Sequence, residues 1–434
     1  MFKALRPKIV GAYISDQMLR RYVMAQGKVG GATRPDTADT HVLLAPSYQG
    51  NLGDEAMLTS CIANIRKRSS GEIVVLTHRS TDDWRHIDPA IRQISVGGFF
   101  SAFNWNKTLA QLLPLLSSAK TFNVLGADIM DGVYSRTRSF RRILLLEWAA
   151  KLGCDAAVLG FSYSDRPLKA ISDYFSLVSK DLTLHARDKV SYERLKLIAR
   201  GQLHLVADTA FLMPPADAPG PNTVAALAFA ARERAAGRRI VVFNANPLGS
   251  AISSGAARGD ESVSNLTDVT LGNVLSIATK APDAALLFVS HDPREPHSDA
   301  SLLERVYERL PQDIKDRCFL ATRDIGAREI KSICAVADLA VTGRMHLGIA
   351  ALGSSTPCLF LDFAGKVKGL LAHFDAGDMI ADWALYMDKE AYGRKVADML
   401  DQHVALRAKL GEKLPHVRAL SSLNFQRFGV DPAA

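Results

Sequence analysis

The sequence is poor in features that mark secreted or membrane-spanning proteins. Its five cysteines lie far apart, mostly among apolar neighbours, and no two form a C-x-x-C pair; they are Cys61, Cys154, Cys318, Cys334 and Cys358. This spacing is typical of free buried thiols in a reducing compartment and argues against a zinc site. No window supplies the ~18 uncharged apolar residues that a membrane span requires. We therefore expect a cytoplasmic protein.

Clusters of basic and aromatic residues are also absent, so nucleic acid is the weakest of the anionic partners to consider. The chain carries 53 Lys and Arg against 45 Asp and Glu, a formal charge of +8, which suits anionic substrates or an acidic membrane surface. Residues 1–38 form a basic lead-in that charge interrupts too often for a signal peptide. Peripheral contact with the inner face of a membrane, a helix packed on the core and a disordered tail are the three interpretations of this lead-in.

From residue 41 onward, short apolar runs alternate with segments of helical character. The strands predicted in the first half are His41–Ser47, Glu72–Thr77, Ile91–Val96, Thr121–Gly126, Asp155–Phe161, Leu182–Ala186 and Leu203–Ala207. The helices predicted between them are Asp54–Arg68, Lys107–Ser117, Phe140–Leu152, Leu168–Ser179 and Lys189–Ala199. Such alternation predicts an α/β fold with a largely parallel, doubly wound sheet.

The second half repeats the pattern after a proline-rich stretch. Its predicted strands are Arg239–Asn244, Ala285–Ser290, Cys318–Ala321, Leu339–Val341 and Cys358–Leu361, and its predicted helices are Leu271–Lys280, Ala300–Leu310, Ala327–Ala337 and Leu347–Leu352. The loop Pro247–Ser264 is long for a compact domain, which favours a functional or mobile segment.

Four prolines in the eight residues 214–221 predict the linker between two Rossmann-like domains. The predicted organisation is a lead-in over 1–38, an N-terminal domain over 39–213, the linker, a C-terminal domain over 222–380 and a helical region over 381–434. The helical region could fold back over the first domain. We expect the active site in the cleft between the domains.

The stretch from Asp338 to Asp362 contains the strongest candidate site. A buried strand is followed by Gly343-Arg344-Met345-His346 and a small-residue helix, so Arg344 and His346 lie where a strand ends and a helix begins. Ligands bind at such ends in open α/β sheets, and the helix dipole favours an anion there. Arginine suits phosphate or carboxylate, and histidine carries a proton near neutral pH. The alternative is that Arg344 pairs with a carboxylate and His346 caps the helix.

A second motif, Gln49-Gly50-Asn51-Leu52-Gly53-Asp54-Glu55-Ala56, follows the first predicted strand. Glycines there let the backbone approach a ligand, but the pattern is not the dinucleotide fingerprint. Asp54 is expected to be the N-cap of the next helix. Asp54 and Glu55 could also accept hydrogen bonds from sugar hydroxyls or remove a proton from one.

Three further strand ends carry polar residues. Asp128 and Asp131 follow one strand and could stabilise a turn or bind a metal, although no third ligand is evident. Arg187 follows another and is expected to point towards the cleft, with a surface arginine as the alternative. Asp188 is expected to cap the helix behind it. His291 follows a strand of the second half, ahead of a helix expected to be capped by Asp299.

The ordered set of motifs resembles the polysaccharide pyruvyl transferases. It comprises Asn51-Leu52-Gly53-Asp54-Glu55-Ala56, Arg187-Asp188-x-x-Ser191, Gly343-Arg344-Met345-His346, and Lys366 after Asp362, over about residues 41 to 375. The resemblance implies a fold like the two-domain GT-B glycosyltransferases, with the first domain on the acceptor side and the second on the donor side. It implies transfer of the pyruvyl group of phosphoenolpyruvate to two hydroxyls of a sugar in a cell-surface polysaccharide or its precursor, with a cyclic ketal and phosphate as products.

By this resemblance, Arg187 and Arg344 hold the donor and His346 is the general acid. Asp54 is the residue assigned to the acceptor's base, and Glu55 is the alternative. The remaining substrate-binding residues are Met345, Lys366, Asn51, Gly53, Glu55, His291 and Asp128. Phosphoenolpyruvate is a substrate in this scheme, so no cofactor or metal is expected, and the acceptor could be lipid-linked.

Two alternatives share this sequence pattern. A GT-B nucleotide-sugar glycosyltransferase would have the same two domains, but no acidic pair in the second half is placed to hold a ribose. A non-catalytic relative that binds glycan is the other, and the presence of Arg187, Arg344 and His346 argues against it.

Overall fold

The computed structural model describes residues 39–100, 105–247, 260–295, 298–362 and 367–430. The chain divides into two compact units. The first comprises the described parts of Met1–Gln49, Cys61–Thr209 and Leu420–Ala434, and the second comprises those of Gly50–Ser60 and Ala210–Ala419. The predicted domain bounds differ from these units at three places: residues 50–60 and 210–213 belong to the second unit, and residues 420–430 belong to the first.

The first unit contains a seven-stranded parallel sheet in the order β3-β2-β1-β4-β5-β6-β7. Its strands are β1 Thr40–Leu44, β2 Glu72–Thr77, β3 Arg92–Ser95, β4 Thr121–Ala127, β5 Asp155–Phe161, β6 Thr183–Ala186 and β7 Gln202–Leu205. The central strands β1, β2, β4 and β5 are buried along nearly their whole length, as expected for a parallel sheet covered on both faces. Their side chains form the core of this unit with those of the flanking helices.

The connections between these strands are mostly helical. The helices are α1 Leu52–Arg68, α2 Gly97–Phe100, α3 Trp105–Ser118, α4 Arg136–Lys151, α5 Lys169–Phe175 and α6 Lys189–Lys196, and a 3₁₀ turn covers Thr209–Leu212. Asp188 caps α6 by accepting from the Ser191 N–H at 2.7 Å, which confirms the predicted cap. Residues 52–60 of α1 belong to the second unit.

The second unit contains a six-stranded parallel sheet in the order β10-β9-β8-β11-β12-β13. Its strands are β8 Arg239–Phe243, β9 Ala284–Val289, β10 Cys318–Ala321, β11 Leu339–Thr342, β12 Cys358–Leu361 and β13 Ile380–Ala381. Its helices are α7 Pro221–Ala235, α8 Asp260–Lys280, α9 Asp299–Glu308, α10 Gln312–Lys315, α11 Ala327–Ala335, α12 Met345–Leu352, α13 Val367–Ala372, α14 Trp383–Met387, α15 Lys389–Asp401 and α16 His403–Ser422. A 3₁₀ turn over Leu423–Phe428 follows in the first unit.

Helix α12 packs closely on strand β12 because one of its residues has no side chain. A Cβ at Gly348 would lie 2.0 Å from the Phe360 ring, a distance that no side chain tolerates. The small-residue sequence MHLGIAAL therefore brings the start of α12 directly onto the sheet.

Several expectations fall on residues outside the described ranges or need correction. The lead-in of residues 1–38 and positions 248–259 of the long loop lie outside them, and positions 260–264 belong to α8. Pro221 is not a linker residue but the first residue of α7, where a missing N–H costs nothing. No helix in the described part of the chain is long and apolar enough to cross a membrane.

Candidate active site

The strand order of the second unit reverses at β8, which lies between β9 and β11. Ligands of open α/β sheets bind at such a reversal, beyond the carboxyl ends of the strands. Asn244 follows β8, His291 and Asp292 follow β9, and Arg344 and His346 follow β11. The fold therefore gathers polar side chains from three adjacent strand ends at one edge.

Arg344 is a buried cation at this edge. Its backbone caps α12, and its side chain is 9% exposed. Its Nε lies 3.3 Å from Asp299 Oδ2 and its Nη1 lies 3.5 Å from Asp292 Oδ2. The structure thus contains the carboxylate pairing that was the alternative interpretation of Arg344, together with the position at a helix N-terminus that favours an anion.

Asp299 organises the carboxyl ends of all three strands. Its fully buried Oδ2 accepts from Asn244 Nδ2 at 2.8 Å and from the His291 N–H at 2.9 Å, and its Oδ1 accepts from the Asp292 N–H at 2.8 Å. Burial raises the pKa of this carboxyl, with Arg344 opposing the shift. The N-cap of α9 is Ser298 and not Asp299, because the Asp299 carboxylate turns to the strand ends instead.

Asp292 connects this edge to the start of α1. Its Oδ1 and Oδ2 accept from Arg294 Nε at 2.7 Å and Arg294 Nη2 at 2.8 Å, and Asn51 Nδ2 lies 3.4 Å from Oδ2. The Asn51 Oδ1 accepts from the N–H groups of Gly53 and Asp54 at 2.8 and 3.3 Å. Asn51 is therefore the N-cap of α1, and the expectation that Asp54 caps this helix is wrong.

The His346 ring lies against α1 and beside a second histidine. A Cβ at Gly53 would approach His346 Nδ1 to 2.5 Å, so only glycine lets the helix lie this close. The His291 and His346 rings are nearly parallel, with centroids 6.4 Å apart. Burial, followed by the charges of His346, Arg344 and Arg294, holds the pKa of His291 well below its usual range. His291 is therefore neutral at physiological pH.

Glu55 anchors the first turn of α1 at a second helix. Its Oε1 accepts from the backbone N–H of Ala327 at 2.9 Å, at the positive end of α11. Glu329 completes that terminus by accepting from the N–H groups of Gly326 and Gly220. A carboxylate held in this way orients α1, and Asp54 lies beside it in the same turn, half-buried.

The first unit holds Arg187 at the carboxyl end of β6. Arg187 is 3% exposed, its Nη1 lies 2.7 Å from Asp208 Oδ2, and its Nε donates to Ser162 Oγ at 2.7 Å. Asp208 is 1% exposed, and Ser162 Oγ also donates to Asp188. This network joins the ends of β5 and β6 to the segment after β7.

The end of β4 places Asp128 beside an exposed tyrosine. Tyr134 Oη donates to Asp128 Oδ2 at 3.0 Å, while 60% of the Tyr134 residue is exposed. Asp131 accepts from the N–H groups of Val133 and Ser164, which confirms its role in a turn. Ala127, at the strand end, has a φ of +43°, a strained conformation for a residue other than glycine.

Sequence reasoning thus found part of each site. The second unit brings together Asn51, Gly53, His291, Arg344 and His346, with Met345 in the first turn of α12. Arg187 and Asp128 belong to the first unit, and Lys366 lies outside the described residues. The residues that received no role from the sequence are Asn244, Asp292 and Arg294, and Asp299 was expected only to cap a helix.

A signal for two of these residues was present, since Asn244 directly follows the buried β8 and Asp292 lies three residues after the end of the buried β9. Among the described residues, no group of three or more His, Cys, Asp and Glu side chains could hold a metal ion.

Comparison with known proteins gives a family and a fold. The family model described as polysaccharide pyruvyl transferase matches residues 51–363. No curated protein matches the sequence. Among solved structures, a putative UDP-N-acetylglucosamine 2-epimerase from Listeria monocytogenes aligns with a TM-score of 0.58 at 11% identity, covering 89% of this chain and 95% of that one.

Two other solved structures align over similar lengths. The UGT2 of Phytolacca americana, complexed with UDP-2-fluoro-glucose and pterostilbene, has a TM-score of 0.54 at 10% identity, with 90% and 99% of the two chains covered. The UDP-GlcNAc 2-epimerase from Neisseria meningitidis has a TM-score of 0.53 at 10% identity, with 90% and 98% covered. At these identities the likeness shows the fold alone, which is GT-B-like with two Rossmann-like domains.

Proposed function

The chain belongs to the polysaccharide pyruvyl transferase family, and from this premise we propose that it transfers the pyruvyl group of phosphoenolpyruvate to two hydroxyls of a saccharide. The observation that carries the proposal is the junction of β11 and α12, where a guanidinium, an imidazole and a helix N-terminus meet at the reversal of the strand order. Cation, proton donor and dipole together suit a small, multiply charged anion.

The proposed reaction begins with a proton transfer. His346, as imidazolium, donates its proton to the methylene carbon of phosphoenolpyruvate, which leaves C2 electron-poor. A sugar hydroxyl attacks C2 and loses its proton, phosphate leaves, and a second hydroxyl attacks the resulting cation and closes the ketal ring. One hydroxyl proton replaces the proton given by His346, and the other leaves with phosphate. General acid catalysis of this kind contributes roughly 10²–10⁴ in rate.

The neighbours of His346 support its role as the acid. Because burial holds the pKa of His291 well below its usual range, His291 is not proposed as the acid, and that role is given to its neighbour His346. Arg344 is proposed to hold the donor's carboxylate or phosphate. Arg187, the second cation assigned by the family resemblance, is proposed to contribute less, because its guanidinium bonds Asp208 and Ser162 at 2.7 Å. A preorganised cation lowers the barrier because it needs no reorganisation during the reaction.

The acceptor's base is proposed to be Asp54. Glu55 is less suited, because its carboxylate is bonded to the N-terminus of α11. Asp128 is proposed to accept hydrogen bonds from acceptor hydroxyls, because its carboxylate lies at the end of β4 beside the exposed Tyr134.

The proposal is tested by following phosphate release from phosphoenolpyruvate with a panel of saccharides, on wild type and His346→Gln. We expect saccharide-dependent release that falls by about 10²–10⁴ in the variant, while the midpoint of thermal unfolding changes little. Release that survives in His346→Gln would contradict the assignment. Turnover of a nucleotide sugar without any turnover of phosphoenolpyruvate would instead favour the GT-B glycosyltransferase.

A further inference from the structure

A third arginine, Arg294, lies in the loop after β9 and shares a carboxylate with Arg344. Its guanidinium donates two short hydrogen bonds to the Asp292 carboxylate, from Nε to Oδ1 at 2.7 Å and from Nη2 to Oδ2 at 2.8 Å. Arg344 Nη1 approaches the same Oδ2 only to 3.5 Å. Charge-assisted N–H···O bonds are ordinarily about 2.7–2.9 Å long, so Asp292 is bound to Arg294 and only loosely to Arg344.

The segment before α1, which contains Gly50 and Asn51, fixes Arg294 in this position. A Cβ at Gly50, whose φ is +113°, would lie 2.9 Å from both Cγ and Cδ of Arg294, so the arginine stem runs directly across this glycine. Asn51 Nδ2 approaches Asp292 Oδ2 from the same segment. The loop after β9 and the start of α1 therefore hold the Arg294–Asp292 pair together.

The charges at this edge make the pairing consequential. Arg344 faces two carboxylates, the fully buried Asp299 and Asp292, which is 6% exposed. If both carboxylates paired closely with Arg344, their two negative charges would outweigh its single positive charge, and an anionic substrate would no longer be attracted. Because Arg294 binds the Asp292 carboxylate, Arg344 attracts an anionic substrate more strongly than it would with both carboxylates close to it.

We propose that Arg294 is a positioning residue: by engaging Asp292, it keeps that carboxylate from pairing closely with Arg344 and so strengthens the attraction of Arg344 for the anionic donor. The inference rests on the proposed function for the identity of that donor. Arg294 acts through Asp292, and this route separates it from a residue that touches the donor itself.

The test is a double-mutant cycle on donor affinity, with Arg294→Gln, Asp292→Asn and the double variant. In Arg294→Gln, Asp292 is left to Arg344, so we expect the Kd for phosphoenolpyruvate to rise about tenfold, within the usual range of such couplings. In the double variant the competing carboxylate is gone, and we expect the Kd to return to within about threefold of that of Asp292→Asn. The kcat at saturating donor should change much less than KM.

Arg239→Gln is the matched control, because Arg239 grips Asp283 with the same two-bond geometry at 2.6 and 2.7 Å, at the amino end of β8. Its removal should leave donor affinity unchanged. A double variant that binds as weakly as Arg294→Gln would overturn the proposal and make Arg294 a direct donor contact. The proposal would also be overturned if Arg294→Gln bound phosphoenolpyruvate with the same Kd as wild type.

A measurement without ligand keeps this inference separate from the proposed function. The coupling between Asp292 and Arg344, obtained from urea unfolding of the two single variants and the double, should be larger in an Arg294→Gln background than in wild type. Equal coupling in both backgrounds would refute the inference whatever the donor is. Failure of the proposed function alone would appear as an equal lack of response to phosphoenolpyruvate in wild type and Arg344→Ala.

Discussion

Each unit holds a buried arginine at the carboxyl end of a parallel strand, yet the two are bound very differently. Arg187 has a carboxylate and a hydroxyl acceptor, each at 2.7 Å. Arg344 has two carboxylates at 3.3 and 3.5 Å. Short bonds from one guanidinium to buried partners fix a structure, whereas ion pairs of 3.3 and 3.5 Å hold a carboxylate less tightly. We therefore propose that Arg187 mainly secures its strand ends and that Arg344 is the main donor residue.

The largest effect is expected on removing Arg187. Arg187→Ala leaves Asp208 charged, buried and without its cation, which costs about 3–5 kcal/mol of unfolding free energy. Urea unfolding measures this. Arg187→Met combined with Asp208→Leu should recover most of the loss, because both charges are then gone. If the double variant is stable but inactive, Arg187 has the donor role as well; full activity would limit Arg187 to a structural role.

Removing Arg344 should lower the unfolding free energy less than removing Arg187 does, and it should weaken donor binding more. Asp299 retains its bonds from Asn244 and two backbone N–H groups, so Arg344→Ala should lower the unfolding free energy by only about 1–3 kcal/mol. The same urea series as for Arg187→Ala makes the comparison direct. A loss as large as that of Arg187→Ala would show that the two arginines have the same structural weight.

Acid should destabilise the two units to different extents because they contain different numbers of buried histidines with lowered pKa values. Burial lowers the pKa of His78 to about 4 and of His185 to about 3 in the first unit, and lowers that of His291 in the second. Each is neutral when folded but protonated when unfolded below about pH 6.5, so the unfolded state binds more protons there. Stability should therefore fall as the pH drops from 6.5 towards the folded pKa, by up to about 1.4 kcal/mol per unit for each histidine.

Urea unfolding at pH 7.5, 6.5 and 5.5 measures this slope, and His291→Gln should reduce it by at most one proton. The first unit, with two of these histidines, should lose more stability than the second. An unchanged slope in His291→Gln would show that His291 does not contribute to it.

The smallest effect concerns strain near Asp128. Ala127→Gly relieves a left-handed conformation and should stabilise the protein by about 0.5–1 kcal/mol. Ser355→Gly, at a φ of +57° in the second unit, is the control and should stabilise similarly. Only Ala127→Gly should raise the KM for the saccharide acceptor, because it loosens the segment that holds Asp128. Equal acceptor kinetics in the two variants would count against the role of this strand end.

Local sequence was sufficient wherever a buried strand was flanked by turn residues. The bounds of β2, β5, β10 and β12 were predicted to the residue, because each is a short apolar run with polar or breaking neighbours. Strand β13 has only two residues, too few for a pattern. Helix α7 was missed because its first residue, Pro221, belongs to the proline-rich stretch that suggested a linker.

The site residues also fall into two groups, those that a local sequence pattern indicates and those that depend on contacts between distant parts of the chain. Arg344 and His346 could be proposed from the sequence because they lie two residues apart just after a predicted strand. The contacts of Glu55 with Ala327, and of Asp299 with Asn244 and Arg344, join distant parts of the chain, and only the packing of the strands reveals them. The same residue types therefore took roles, such as capping and orientation, that no short motif specifies.

The comparison of the two arginines is tested most directly by the thermal unfolding of wild type, Arg344→Ala and Arg187→Met/Asp208→Leu with increasing phosphoenolpyruvate. A ligand at ~100 times its Kd stabilises the folded state by about 2.7 kcal/mol. We expect that phosphoenolpyruvate stabilises wild type, that it does not stabilise Arg344→Ala, and that the Arg187 double variant retains most of the response. Stabilisation of Arg344→Ala equal to that of wild type would contradict the central claim that Arg344 holds the donor.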